Sequence, residues 1–232
     1  MDLVNTEVNR FLRLASSSRG SKMTRLKAVD TKSVWGAADR VSPDLVVIGN
    51  VTRRDNPEVK AWLNKGVKFV SFPEAVRTFL IGDKSPIVCA GTHGKTTTTS
   101  MLTVALQGLG LDPSFAIGGT INRGGTNAHN GTGAYFIAEA DESDGSLIEY
   151  HPLGAIITNI ELDHVDNFPN IESIMAVFEK FIETIKPNGF LVAGVDSPHV
   201  RELLGRVTRK DLKVITYGKV DADLTFSHVS LT

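Results

Sequence analysis

One cysteine, Cys89, stands in a chain of 232 residues, so neither a disulfide nor a thiol-rich metal site can form within it. Near the end of an apolar run, Cys89 is expected to be a small buried hydrophobe. No apolar stretch approaches the ~20 residues that a membrane-spanning helix needs. Net charge is also scarce: the formal balance is −1, which gives the whole chain no electrostatic footing on nucleic acid or on a membrane surface. Internal repeats are absent. Low complexity is confined to Ala15-Ser16-Ser17-Ser18-Arg19-Gly20-Ser21-Lys22. That Ser/Arg-rich start has the flavour of a transit peptide, but Asp2 and Glu7 oppose it, and there is no secretory core followed by a small-residue cleavage site. A cytoplasmic setting is the expectation.

What is present is an ordinary globular composition, 41% hydrophobic, enough for a sizeable core in one large or two modest domains. Charge is uneven, since residues 1–40 carry eight Lys/Arg against four Asp/Glu. From Asp44 to Leu80 the chain alternates an apolar run (Leu45 to Ile48), a helix from Pro57 to Lys65 stopped by Gly66, a second run (Val67 to Val70) and a helix from Pro73 to Leu80. This βαβα order predicts part of a parallel sheet, with Gly82 to Pro86 as a linker. Further buried strands are expected at Pro86 to Ala90, Tyr135 to Ala138, Ala155 to Thr158, Phe190 to Ala193 and Leu212 to Tyr217. Ile174, Val177, Phe178, Phe181, Ile182 and Ile185 recur at helical spacing and define the clearest helix. The fold class is therefore α/β with a mostly parallel sheet.

The chemistry concentrates in Gly91-Thr92-His93-Gly94-Lys95-Thr96-Thr97, set between the strand ending at Ala90 and a helix signalled by Met101, Leu102, Ala105, Leu106 and Leu109. The glycines let backbone N–H groups turn to an anion, Lys95 can neutralise outer phosphates, and the Thr96 hydroxyl can sit on Mg²⁺. The general phosphate-loop pattern asks for a further glycine where Cys89 stands, so strand–loop–helix order carries much of the signal. Glu139-Ala140-Asp141-Glu142-Ser143-Asp144 follows another strand, where carboxylates can meet a hard cation; Glu139 with Thr96 would complete a nucleotide–metal site. Beyond a third strand lies Thr158-Asn159-Ile160-Glu161-Leu162-Asp163-His164-Val165-Asp166. His164 could ligate a second metal or meet a phosphoryl oxygen, Asn159 could orient a phosphate, and Asp163 could fix the imidazole tautomer. His151, His199 and His228 lack a partner pattern. His129 belongs to a glycine-rich stretch from Gly118 that reads as a polar loop, either lining a substrate path or simply at the surface.

In order and spacing, these three signatures closely resemble those of the Mur ligases over roughly residues 44 to 220. The resemblance implies an ATP-dependent ligase of peptidoglycan precursor synthesis that joins an amino acid to a UDP-muramyl carboxylate through an acyl phosphate. Its alanine-adding branch, which takes UDP-N-acetylmuramate and L-alanine, is the nearest match. By that resemblance Lys95, Glu139 and His164 are catalytic. Gly91, Thr92, His93, Gly94, Lys95, Thr96, Thr97 and Asn159 hold ATP, and Thr96, Glu139 and His164 serve Mg²⁺. A carbamylated lysine found in several members falls near Glu179, whose native carboxylate could supply similar charge.

The family has three domains. Residues 85–232 are expected to be the central ATP-binding domain and 44–84 a partial Rossmann-like first domain, with 1–43 unassigned. The C-terminal amino-acid-binding domain is expected to be missing, so a complementing domain is an expected partner. The uridine-gripping glycine loop does not occur before Asp44, and Gly49 to Glu58 looks more like the branch that recycles murein tripeptide. A non-catalytic ATP-binding module and a simple nucleotide switch are the alternatives outside the ligase reading.

Overall fold

The computed structural model describes residues 43–48, 56–121, 125–143, 145–163 and 168–226. Expectations for residues 1–42 and 49–55, and those for Asp144, His164, Asp166 and His228, fall outside the described residues. The first described unit is the expected βαβα. β1 (Leu45–Ile48) pairs in parallel with β2 (Lys68–Ser71), and α1 (Pro57–Asn64) makes the crossover. α2 (Phe72–Val76) starts where the Ser71 hydroxyl accepts from the Glu74 N–H at 3.2 Å, and it runs on into a π-helical turn over Arg77–Ile81. Proline in the first turn of α2 fits its preset φ.

β3 (Ser85–Ala90) is the axis of the main sheet. The strands that follow are β4 (Ser114–Ile121), β5 (Thr126–His129), β6 (Tyr135–Glu139), β7 (Gly154–Ile157), β8 (Phe190–Gly194), β9 (Lys213–Gly218) and β10 (Leu224–Thr225). Their order is β10-β9-β8-β7-β3-β6-β4-β5, and every pairing is parallel except β4 with β5. From β3 the chain runs through α3 (Lys95–Gly108) to β4 on one side; from β6 it crosses to β7 on the other. The strand order thus reverses at β3, and in parallel sheets such a reversal opens a crevice beyond the strands' carboxyl ends.

Of the apolar stripe its sequence predicts, α4 (Ile171–Glu183) buries Ile174, Phe178, Phe181 and Ile182 to within 1% of complete burial and adds Met175, while Val177 is only partly buried. They share one core with Ala155, Ile157, Leu191 and Ala193 of the sheet and with Val200 and Leu203 of α5 (Pro198–Arg206). Ala75, Val76 and Ile81 enter the same core, so the first unit packs onto the main sheet through α2 and the π turn.

α3 departs from expectation. Met101 and Leu109 are 61% and 73% exposed, whereas Thr99 and Thr103 are completely buried. Their hydroxyls donate to the carbonyls of Lys95 and Thr99, each at 2.8 Å, so the polar atoms are satisfied inside the helix and their methyl groups can face the sheet. The stretch from Gly118 is a second departure: Gly118 to Ile121 belongs to β4, and Thr126–His129 forms the antiparallel edge strand β5. Glycine-rich composition hid strands whose small residues leave room for side chains of the site.

Burial dictates the stability response. Phe178→Ala opens a large cavity in the α4 core and should cost about 3–5 kcal/mol. Thr103→Val leaves every backbone carbonyl with its helical partner and should change stability by less than ~1 kcal/mol. Urea denaturation of the two variants checks both; equal losses would contradict this account of α3.

Candidate functional site

The Ala90–Lys95 connection rises from the central strand and is clamped from β7's exit. Thr158 donates its hydroxyl to the His93 carbonyl at 2.7 Å, and Asn159 Nδ2 donates to the same carbonyl at 2.9 Å. Asn159 Oδ1 accepts from the His93 N–H at 2.9 Å, the Thr92 N–H donates to the Asn159 carbonyl at 3.0 Å, and Glu161 N–H donates to the Thr92 hydroxyl at 2.9 Å. Gly91 allows this closeness: its φ is +132°, and a Cβ there would lie 2.2 Å from Thr158 Oγ1. Both ends of the Asn159 amide are engaged by His93, so Asn159 acts on any ligand through the loop it shapes.

Gly94 then occupies the N-cap of α3 with a left-handed φ of 80° and supplies no side-chain cap. The first-turn N–H groups of a 14-residue helix are therefore presented to the crevice with the positive end of its dipole. That arrangement suits a phosphate. His93 extends outward, its Nε2 3.6 Å from Glu161 Oε2 with both side chains 62% exposed, a surface contact of little energetic weight.

Thr96 and Glu139 meet, as their places after two expected strands suggest: the Thr96 hydroxyl donates to Glu139 Oε1 at 2.8 Å. β4 fixes the other carboxylate oxygen, because the Gly118 N–H donates to Glu139 Oε2 at 2.8 Å. A Cβ on Gly118 would stand 2.9 Å from that oxygen, and one on Gly119 2.8 Å from the Thr96 methyl. The stretch read as a polar loop is thus a wall of the site, and its glycines make space for Glu139 and Thr96. A hydroxyl and a carboxylate beside an uncapped helix N-terminus form the donor set that Mg²⁺ shares with phosphate oxygens. The residues present fit that group.

Lys95 was expected at the phosphates, but its partner Glu142 was not singled out. The ammonium donates to Glu142 Oε2 at 2.8 Å and to the carbonyls of Gly91 and Thr92 at 2.7 and 3.1 Å. Glu142 is 1% exposed, whereas the neighbouring Asp141 accepts from the Ser143 N–H at 3.0 Å. An acidic run looks solvated in sequence, and only the fold shows which member turns inward. Cys89 is buried as expected, and burial pushes its thiol up to about 11, so it stays neutral and inert.

Other sequence candidates lie away from this cluster. Glu179 pairs with Arg206 at 2.8 Å, and Arg206 also reaches Glu172 and Glu202, so Glu179 serves a surface link between α4 and α5. His129 hydrogen-bonds Asp112 Oδ1 at 3.0 Å, and the Asp112 carboxylate also accepts from the Thr132 N–H and hydroxyl at 2.7 and 2.8 Å. With the Thr132 N–H first and His129 next, those donors hold Asp112 down to about 2; the cluster ties the start of β4 to the end of β5. His199 meets the Ile160 carbonyl at 2.9 Å, and Ser197 hydrogen-bonds the Ile160 N–H, fastening α5 to β7's exit. His164 lies outside the described residues. No helix among the described residues is long and apolar enough to cross a membrane.

Comparison with known proteins agrees with the geometry. Residues 89–231 match the Mur ligase middle domain, a span that contains Lys95, Thr96, Glu139, Glu142 and Asn159. A UDP-N-acetylmuramate–L-alanine ligase of Rhodococcus erythropolis is 46% identical over 172 residues, covering 73% of this chain and 34% of that protein. One of Mycobacterium bovis is 49% identical over 170 residues, with the same coverage. The chain thus spans about a third of the length of these curated relatives. Among solved structures, the UDP-N-acetylmuramate:L-alanyl-gamma-D-glutamyl-meso-diaminopimelate ligase from Neisseria meningitides superposes with a TM-score of 0.72 at 30% identity, covering 78% of this chain and 60% of that one. The UDP-N-acetylmuramate-alanine ligase from Thermotoga maritima gives 0.66 at 28% identity, covering 82% and 42%. A glycine loop clamped at a helix N-terminus, a Thr96–Glu139 pair beside it and a family match over most of the main sheet lead to one conclusion: this chain belongs to the Mur ligase family.

Proposed function

We propose that this chain carries the ATP site of a ligase that joins L-alanine to UDP-N-acetylmuramate in cytoplasmic peptidoglycan precursor synthesis. In this reading residues 85–232 are the nucleotide domain and 44–84 the later part of a Rossmann-like domain before it. The observation that carries the proposal is the convergence of Lys95, Thr96 and Glu139 at the carboxyl ends of β3 and β6, supported by 46–49% identity to ligases of that name. The ligase that takes up a preformed tripeptide is the second reading, favoured by the TM-score of 0.72 to the Neisseria structure; its identity of 30% is the lower.

The chain's own residues divide the work. Backbone N–H groups at the start of α3 orient the phosphates, and the β7 clamp keeps those groups fixed before the nucleotide arrives, which lowers the ordering cost of binding. Lys95 offsets charge on the transferred phosphoryl group. Thr96 and Glu139 would hold Mg²⁺, which supplies charge neutralisation at the phosphate oxygens. His164 is assigned to a second metal on the family resemblance alone. The wall formed by Gly118 and Gly119 keeps the Glu139 carboxylate in one orientation.

Calorimetric titration with Mg²⁺-ATP should show saturable binding, and Lys95→Ala should weaken it by about tenfold or more through loss of a charge-assisted contact. Binding of equal strength in both proteins would remove Lys95 from the site. Gly118→Ala tests the metal arm separately: the added methyl displaces Glu139, so the dependence of ATP affinity on Mg²⁺ should shrink. Superimposable Mg²⁺ titrations would sink that assignment.

A further inference from the structure

We infer that Glu142 is a positioning residue for Lys95, a buried carboxylate that latches the ammonium against the loop and must surrender it when phosphate binds. This rests on the nucleotide reading above and goes beyond it, because it names a competitor for the phosphate inside the protein.

The argument begins with a donor count. A lysine ammonium has three N–H donors and no acceptor. In Lys95 all three have acceptors within hydrogen-bond reach: the Gly91 carbonyl at 2.7 Å, the Thr92 carbonyl at 3.1 Å and Glu142 Oε2 at 2.8 Å. A direct bond to a phosphate oxygen therefore requires Lys95 to release or share one of them.

The three are not equivalent. Gly91 and Thr92 belong to the loop itself, which β7 holds in place through Thr158 and Asn159, so contacts to their carbonyls keep the ammonium inside the cradle. Glu142 comes from a different segment, three residues beyond Glu139, and it alone of the three acceptors carries a negative charge. A polyphosphate approaching the N-terminus of α3 competes for the same ammonium with the same sign of charge, so exchange occurs at Glu142. Burial makes that exchange costly. Glu142 is 1% exposed and Lys95 15% exposed, and a carboxylate that loses its cation in such surroundings loses far more than an exposed one would.

The consequence is that Glu142 lowers nucleotide affinity while keeping the empty loop ordered. A carboxylate whose role was only to support the fold would give the opposite sign, since loosening the loop can only weaken binding.

The test uses the whole chain titrated with Mg²⁺-ATP in three forms: wild type, Glu142→Gln and Glu142→Asp, each checked by thermal melting to be folded at the assay temperature. Glu142→Gln keeps the shape and removes the charge, and should bind about tenfold tighter, on the order of one charge-assisted hydrogen bond. Glu142→Asp keeps the charge but draws it back by one methylene, and should also bind tighter than wild type. Weaker or unchanged binding by Glu142→Gln overturns the latch. Tighter binding by Glu142→Gln with Glu142→Asp at the wild-type value overturns it too, because the carboxylate would then act through its field rather than by holding Lys95. If neither wild type nor the variants bind, the nucleotide reading itself falls and the latch with it. Binding by the variants alone would show the latch at its strongest.

Discussion

Everything in the site depends on β3 being paired in parallel on both edges, with β6 on one and β7 on the other. That single constraint brings three chain segments, far apart in sequence, to one end of the sheet. Cys89 stands opposite Glu139 and Ala90 opposite Ile157, so the loop after β3 emerges between the carboxylate run after β6 and the Thr158–Asn159 pair after β7. None of these contacts is local. Lys95 to Glu142 spans 47 positions and Asn159 to His93 spans 66, and the sheet meets the entropy of closing those separations once for all of them.

The clamp from β7 then settles what the glycines mean. A flexible loop could be drawn around a phosphate only by ordering it at the moment of binding. Here Thr158 and Asn159 hold the His93 backbone by three hydrogen bonds, and the absence of a Cβ at Gly91 lets them approach. The glycine serves close packing as much as torsional freedom. The α3 side shows the same economy of space: Thr99 and Thr103 fill the interface with short side chains whose hydroxyls bond back to their own helix.

Much of this was legible in the sequence, and the limits have physical causes. Strand β3, the glycine loop that follows it and α4 carry strong periodicity or a fixed residue order, and all three elements stand where expected. Thr96 and Glu139 were paired from their places after predicted strands, from magnesium chemistry and from the family resemblance, and their side chains meet at 2.8 Å. The β4–β5 hairpin was missed because its glycines and small polar residues satisfy a site instead of a core, and composition cannot distinguish the two. The apolar periodicity of α3 pointed to Met101 and Leu109, which face solvent, because two threonines with satisfied hydroxyls replaced aliphatic residues on the buried face. Glu142 was hidden for a related reason. Four acidic residues lie within Glu139 to Asp144, and burial of one is a property of tertiary packing that no pattern in the run reveals.

Charge gives the site its last constraint. Among the described residues of the cradle, one ammonium, Lys95, stands in contact with one carboxylate, Glu142, and beside a hydroxyl that is bonded to a second, Glu139. These three charged groups sum to a negative value, and the partial positive charge of the α3 N-terminus, roughly half an elementary charge, does not reverse it. A polyphosphate entering alone would meet repulsion from both carboxylates. A divalent cation placed between Glu139 and Thr96 changes the sign of that balance and links the phosphates to the carboxylate that would otherwise repel them. On the proposed function the arrangement would couple metal and nucleotide: Glu139 would oppose the nucleotide when bare and attract it through the metal when occupied. Glu142, whose partner is a lysine instead of a metal, opposes it in either case.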